Sequence, residues 1–202
     1  IWTAKKRYIL NVWNSEGVQY SEPKLKVMGI EAVKSSTPAP CRQMIKDGLK
    51  LMMNGTEEDV IEFIDKCRVE FKALPPEQIA FPRTVSDVRK YHSHSSIYSK
   101  GTPIHARGAL LFNHYIKDKK LTNKYSLIAN GEKIKFLYLK KPNIIQENVI
   151  SFIQDFPHEL GLDKYIDYDL QFEKSFVEPL KAILDAIGWN VEKTVNLELF
   201  FA

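Results

Sequence analysis

The stretch that most restricts the fold is residues 7–28. Apolar and polar side chains alternate through 7–14 and again through 17–28, with Asn14-Ser15-Glu16-Gly17 between them as a turn. A period of two is a strand, so the two runs predict an antiparallel hairpin. Pro23 cannot donate to a ladder, which puts the second strand on a sheet edge or breaks it there. Helical periods follow. Ser35-Ser36-Thr37-Pro38 reads as a capped helix start, with Met44, Ile45, Leu49, Leu51 and Met52 along one stripe and Asn54-Gly55 as the stop. Thr56-Glu57-Glu58-Asp59 caps a second helix carrying Val60, Ile61, Phe63, Ile64, Cys67 and Phe71, ended by Pro75-Pro76. Hairpins followed by blocks of helix predict an α+β fold, mainly helical with small antiparallel β pieces.

Further along, Ile79-Ala80-Phe81 reads as a short strand and Val85 to Tyr91 as a short helix. Pro103 to Ile116 predicts a helix with Leu110, Leu111, Tyr115 and Ile116 as its buried stripe. Asn130-Gly131 joins two alternating runs, Tyr125 to Ala129 and Lys133 to Leu139, and predicts a second hairpin. Residues 149–156 resemble a strand and 163–168 a short helix. A last helix ends near Ile187-Gly188, with Pro179 kinking or breaking it.

The composition is that of a globular protein, with 44% hydrophobic and 27% charged residues. No apolar run reaches the ~18 residues of a membrane span, and the polar, basic first residues argue against a cleaved leader. Two isolated cysteines, Cys41 and Cys67, support neither a disulfide framework nor a zinc site and suggest a reducing compartment. The chain begins at Ile1, which reads as a piece of something longer or one half of a split gene. Net charge is +4, unevenly spread: residues 1–141 hold 25 Lys and Arg against 14 Asp and Glu, and residues 142–202 hold 4 against 11. A basic body suits a polyanion, and the acidic remainder faces elsewhere.

The densest basic motif, Lys5-Lys6-Arg7-Tyr8, leads into the first strand. On a strand alternate side chains share a face, so Lys6, Tyr8, Leu10 and Val12 point one way and Lys5, Arg7, Ile9 and Asn11 the other. Cations beside a tyrosine on a rigid strand suit a nucleic-acid backbone, and equally a solvated strand end. Lys34 with Ser35, Ser36 and Thr37 at a helix start offers a phosphate seat or merely a cap. Arg107 opposes the dipole at its helix start and needs an anion, either a phosphate or a structural carboxylate. Lys117, Lys119, Lys120 and Lys124 form a further basic cluster. His92-Ser93-His94 is a weak metal signal, better read as loop. Asp167-Tyr168-Asp169 has the outline of a two-metal carboxylate pair, although a structural or solvated role fits better. Asn196-Leu197-Glu198-Leu199-Phe200-Phe201-Ala202 is apolar and aromatic, as a docking peptide is.

The run Trp2-Thr3-Ala4-Lys5-Lys6-Arg7-Tyr8-Ile9-Leu10-Asn11-Val12 resembles the lysine–tyrosine motif of family B DNA polymerases, especially replicative enzymes of T-even-like phages. Glu22-Pro23-Lys24-Leu25-Lys26-Val27-Met28-Gly29, Lys34-Ser35-Ser36-Thr37-Pro38 and Pro103-Ile104-His105-Ala106-Arg107-Gly108 continue the resemblance in order, most weakly through 81–101 and 116–135. It implies palm strands over 1–33, a thumb over 34–195 and a clamp-binding tail over 196–202 anchored by Leu197, Leu199, Phe200 and Phe201. DNA contacts are implied for Lys5, Lys6, Arg7, Tyr8, Lys34, Ser35, Ser36, Thr37 and Arg107. The implied partners are primer–template duplex, a sliding clamp and the missing exonuclease, palm and fingers part, in the cytoplasm of an infected bacterial host. In the family the catalytic carboxylates precede the lysine–tyrosine motif, so Asp167 and Asp169 fall in the wrong place. The segment by itself is expected to bind no cofactor, with Mg2+ held only by the complete polymerase, and to be inactive alone. A non-catalytic DNA-binding or clamp-associated accessory protein is the other class these features fit.

Overall fold

A computed structural model describes residues 1–86, 97–98 and 101–192. It is an α+β chain with two three-stranded antiparallel sheets, divided into two compact units: residues 1–73 with the chain from Phe172 onward, and residues 74–171. Among the described residues no helix is long and apolar enough to cross a membrane.

The first unit opens with β1 (Trp2–Ala4), β2 (Arg7–Ser15) and β3 (Val18–Met28), in that order in the sheet. The expected hairpin is present. Ser15 lies opposite Val18, and Glu16 and Gly17 turn the chain with φ of 53° and 80°, the left-handed pair that matches strand twist. Pro23 sits on the edge strand, as one of the two alternatives had it; β3 does not break there, and the register slips between Val12 and Asn14 instead. β1 carried no sequence signal.

Two helices follow, α1 (Ala39–Asn54) and α2 (Glu57–Lys72). The stop at Asn54-Gly55 is as expected, but the start of α1 is not. Pro38 occupies the cap position, and its side chain has no acceptor, so no side chain caps the first turn; Thr37 before it is buried. In α2 the capping box is complete: the Thr56 hydroxyl accepts from the Asp59 N–H, and the Asp59 carboxylate accepts from the Thr56 N–H at 2.8 Å. Ile45, Leu49, Val60, Ile64 and Phe71 are buried, and Phe71 packs on Phe172, the last residue of α5 (Tyr168–Phe172), from which the chain returns through a π segment (Glu173–Val177) and α6 (Glu178–Leu184). Pro179 has no N–H for the i−4 carbonyl. The helix widens just before it, with the Glu178 N–H bonding the Glu173 carbonyl, instead of breaking.

In the second unit, α3 (Pro76–Ile79) leads to β4 (Phe81–Thr84), so the strand begins two residues later than its apolar triplet suggested. Most of the expected helix from Val85 to Tyr91 lies outside the described residues. β4, β5 (Lys133–Tyr138) and β6 (Val149–Phe152) form the sheet, with β5 central. The expected hairpin at Asn130-Gly131 is therefore half right. Gly131 turns at φ 86°, but β5 pairs with β4 and β6, and residues 125–129 form no strand. Asn113 satisfies that segment instead: its amide accepts from the Ile128 N–H at 2.7 Å and donates to the Ile128 carbonyl at 2.8 Å. α4 (Ile104–Asp118) packs on β6 through Ala106, Gly108, Ala109, Leu111, Phe112 and Ile116, a stripe rotated away from Leu110 and Tyr115. Gly108 permits the approach, since a Cβ there would lie 2.4 Å from the Ser151 hydroxyl.

Candidate nucleic-acid interface

The backbone around the basic motif differs from a continuous strand. Lys5 and Lys6 form the turn between β1 and β2, and Lys6 sits at φ 63°. The expected alternation therefore starts at Arg7, not Lys5. Both lysines are exposed at the head of the sheet. Gly29, itself at φ 67°, lies under this turn; a Cβ there would be 2.2 Å from the Lys6 carbonyl oxygen. No local signal marks Lys6 as left-handed. The complementary residue is the glycine that follows β3.

From Arg7 onward the two faces separate. Directly opposed residues of an antiparallel pair point the same way. Tyr8, Leu10 and Val12 thus share a face with Met28, Lys26 and Lys24, and Trp2 joins them opposite Tyr8. The Trp2 and Tyr8 rings stack with centroids 5.2 Å apart and an interplanar angle of 19°. Lys24 Nζ lies 4.0 Å over the Tyr20 ring. This face is open, with Trp2, Leu10, Lys24, Lys26 and Met28 all exposed. On the other face, Ile9 is fully buried. The result is an aromatic and aliphatic strip bordered by lysines.

Arg7 leaves that strip and donates to Glu31 at 3.0 Å, while Lys34 donates to the other Glu31 oxygen at 2.7 Å. Glu31 sits in a one-turn 3-10 segment (Glu31–Val33) and draws two separately expected contacts into one cluster. The sequence reading overlooked it; its i,i+3 spacing to Lys34 was the available clue. Arg7 Nε is buried without a hydrogen-bond partner among the described residues. Beyond the cluster, Ser35 is exposed, Ser36 is half-buried and Thr37 is only 5% exposed, its N–H bonding the Lys34 carbonyl. The hydroxyl seat expected at the start of α1 is thus not assembled as a set.

Arg107 belongs to the second unit. Its guanidinium donates at 2.7 Å to the Asn148 side-chain oxygen, a neutral acceptor where a phosphate or a carboxylate was expected. Lys124 is engaged by Glu159, which also accepts from the Tyr125 hydroxyl at 2.6 Å. Lys124 first, and Tyr125 after it, hold the Glu159 carboxyl down at about 2. Lys117, Lys119 and Lys120 are exposed. Asp167 accepts from the Leu170 N–H at 3.1 Å at the start of α5, and Asp169 pairs with Lys140 at 3.7 Å. Among the described residues no three His, Cys, Asp or Glu side chains are grouped as metal ligands. His92, His94, Leu197, Leu199, Phe200 and Phe201 lie outside the described residues. Cys41 and Cys67 are free and buried, and burial raises both thiols, to about 11 and about 12.

No family model matches the chain. It is 34% identical over 201 residues to a DNA-directed DNA polymerase of Escherichia phage RB69, and 30% identical over 204 residues to one of Enterobacteria phage T4. These alignments cover 97% and 99% of this chain, whereas the chain spans 22% of the length of each relative. Along nearly its whole length, then, the chain is homologous to a C-terminal segment of phage DNA-directed DNA polymerases.

Proposed function

We propose that this chain is the palm-end and thumb segment of a family B replicative polymerase and grips the primer–template duplex behind the active site. Residues 1–33 supply the last palm strands, 34–195 the thumb and 196–202 a tail that docks on a sliding clamp. The observation that carries the reading is the open Tyr8 face of the first sheet. Its aromatic strip is flanked by Lys5, Lys6, Lys24 and Lys26, with Arg7 and Lys34 gathered beside it. Flat rings among cations fit a nucleic-acid backbone and groove. The catalytic carboxylates and their Mg2+ belong to the remainder of the polymerase, with which this segment acts.

Most of the grip is phosphate neutralisation, so affinity falls with salt at a log–log slope of about −0.9 per phosphate. Replacing Lys5 and Lys6 together with Ala is expected to flatten that slope by roughly two units. Arg7→Ala is expected to flatten it less, since Glu31 already holds the guanidinium. Fluorescence anisotropy of a labelled duplex across a salt series measures both. A slope unchanged by the double lysine variant rules the turn out of the interface.

Deleting residues 196–202 is expected to leave duplex binding and melting temperature nearly unchanged. In the complete polymerase it abolishes clamp capture and processive synthesis. Clamp capture that survives the deletion removes the docking role from the tail.

A further inference from the structure

Trp2 belongs to the aromatic strip described above, and at 66% it is the most exposed large aromatic side chain among the described residues. Its placement is nonetheless fixed. The Ile9 N–H donates to the Ile1 carbonyl at 2.9 Å, and Tyr8 stacks on one side of the ring. A near-parallel pair leaves the far face of Trp2 open. Lys5 and Lys6 lie in the adjoining turn, and Lys26 and Lys24 follow further along the same face on β3, opposite Leu10 and Val12.

A protein partner covering this face would have to desolvate those ammonium groups and pair each of them. A polyanion that also carries flat rings satisfies both halves of the surface. Bases inside a duplex are stacked on their neighbours and offer no free face, whereas an unpaired base does. We propose that the outer face of Trp2 stacks an unpaired nucleobase, so that this surface takes single-stranded bases as well as duplex backbone. The inference rests on reading the sheet as a DNA grip. Tyr8 backs the indole and keeps it oriented. The lysines hold the phosphates on either side of the extruded base, and no rearrangement of the sheet is required.

The test uses the full chain carrying Trp13→Phe and Trp189→Phe, which leaves Trp2 as the remaining indole of three. It is titrated with a blunt duplex and with the same duplex bearing unpaired bases at one end. Anisotropy of a dye on the DNA follows binding separately from Trp2 emission. The expected result is quenching of Trp2 by the DNA with unpaired bases well beyond that by the blunt duplex at equal saturation. Trp2→Leu, which keeps an apolar side chain on the strand but removes the π face, is expected to shrink the preference for unpaired ends by about tenfold. Two results overturn the proposal while leaving the grip intact. One is DNA binding with Trp2 emission unmoved, as when the ring is covered by protein. The other is an equal loss on both DNAs in Trp2→Leu, as when the ring only supports the sheet. If neither DNA binds at low salt, the grip itself fails and the stacking role with it.

Discussion

Gly29→Ala is expected to destabilise the first unit by about 2–5 kcal/mol and to weaken duplex binding together with it. Two costs combine. At φ 67° an alanine occupies the left-handed region, worth about 1–2 kcal/mol. Its Cβ also lies 2.2 Å from the Lys6 carbonyl oxygen and 3.1 Å from Arg7 Cγ. The first of these neighbours is backbone and cannot swing aside, so the Lys5–Lys6 turn must move, adding about 1–3 kcal/mol of overpacking. Gly29→Asn separates the two costs, because asparagine tolerates positive φ but still carries a Cβ. It is expected to recover only a minor part of the loss in urea unfolding. Full recovery with Asn, or a loss under about 0.5 kcal/mol with Ala, means the turn does not rest on Gly29.

Phe172→Ala should be the most costly core change, at about 3–5 kcal/mol. The ring is fully buried, 5.2 Å from Phe71 and 5.0 Å from Phe176, with the Arg68 guanidinium 5.0 Å over it. Truncation leaves a cavity that α2 and the π segment cannot close without losing their own contacts. Against a typical stability of about 5–15 kcal/mol, that loss is a third or more of a modest domain. Val69→Ala on the exposed side of α2, where Val69 is 73% accessible, serves as the control and should stay within about 0.5 kcal/mol. A Phe172→Ala loss near the control would show that the ring is not part of a packed core.

What could be read from the sequence was local. Thr56, Asp59 and the 3.6-residue period of Val60, Ile64, Cys67 and Phe71 define α2 within a few residues of each other, and Pro75 closes it. The hairpin of β2 and β3 was likewise set by its alternation and by Gly17. The misreadings arose where a distant partner decided. β5 shows the same period two as β2, but its neighbour is β4, chosen by Phe81 stacking on Phe136 at 5.2 Å rather than by the adjacent Asn130-Gly131 turn. Residues 125–129 alternate as a strand does, yet the Ile128 backbone bonds Asn113 on α4 and the Ala129 N–H bonds the Glu132 carboxylate, so no ladder forms. In the candidate site, the strip of Tyr8, Leu10 and Val12 followed from parity alone. Its lysine border on β3 required the register, the Lys6 turn required Gly29, and the gathering of Arg7 and Lys34 required Glu31.

Glu31 has a consequence of its own. It is a resident anion seated between two cations. It keeps Arg7 and Lys34 side by side when no other anion is present, and any arriving phosphate has to share or displace it. The pair therefore holds one net positive charge, not two. An incoming polyanion exchanges one carboxylate for another acceptor there, with fewer counterions set free than two exposed lysines would release.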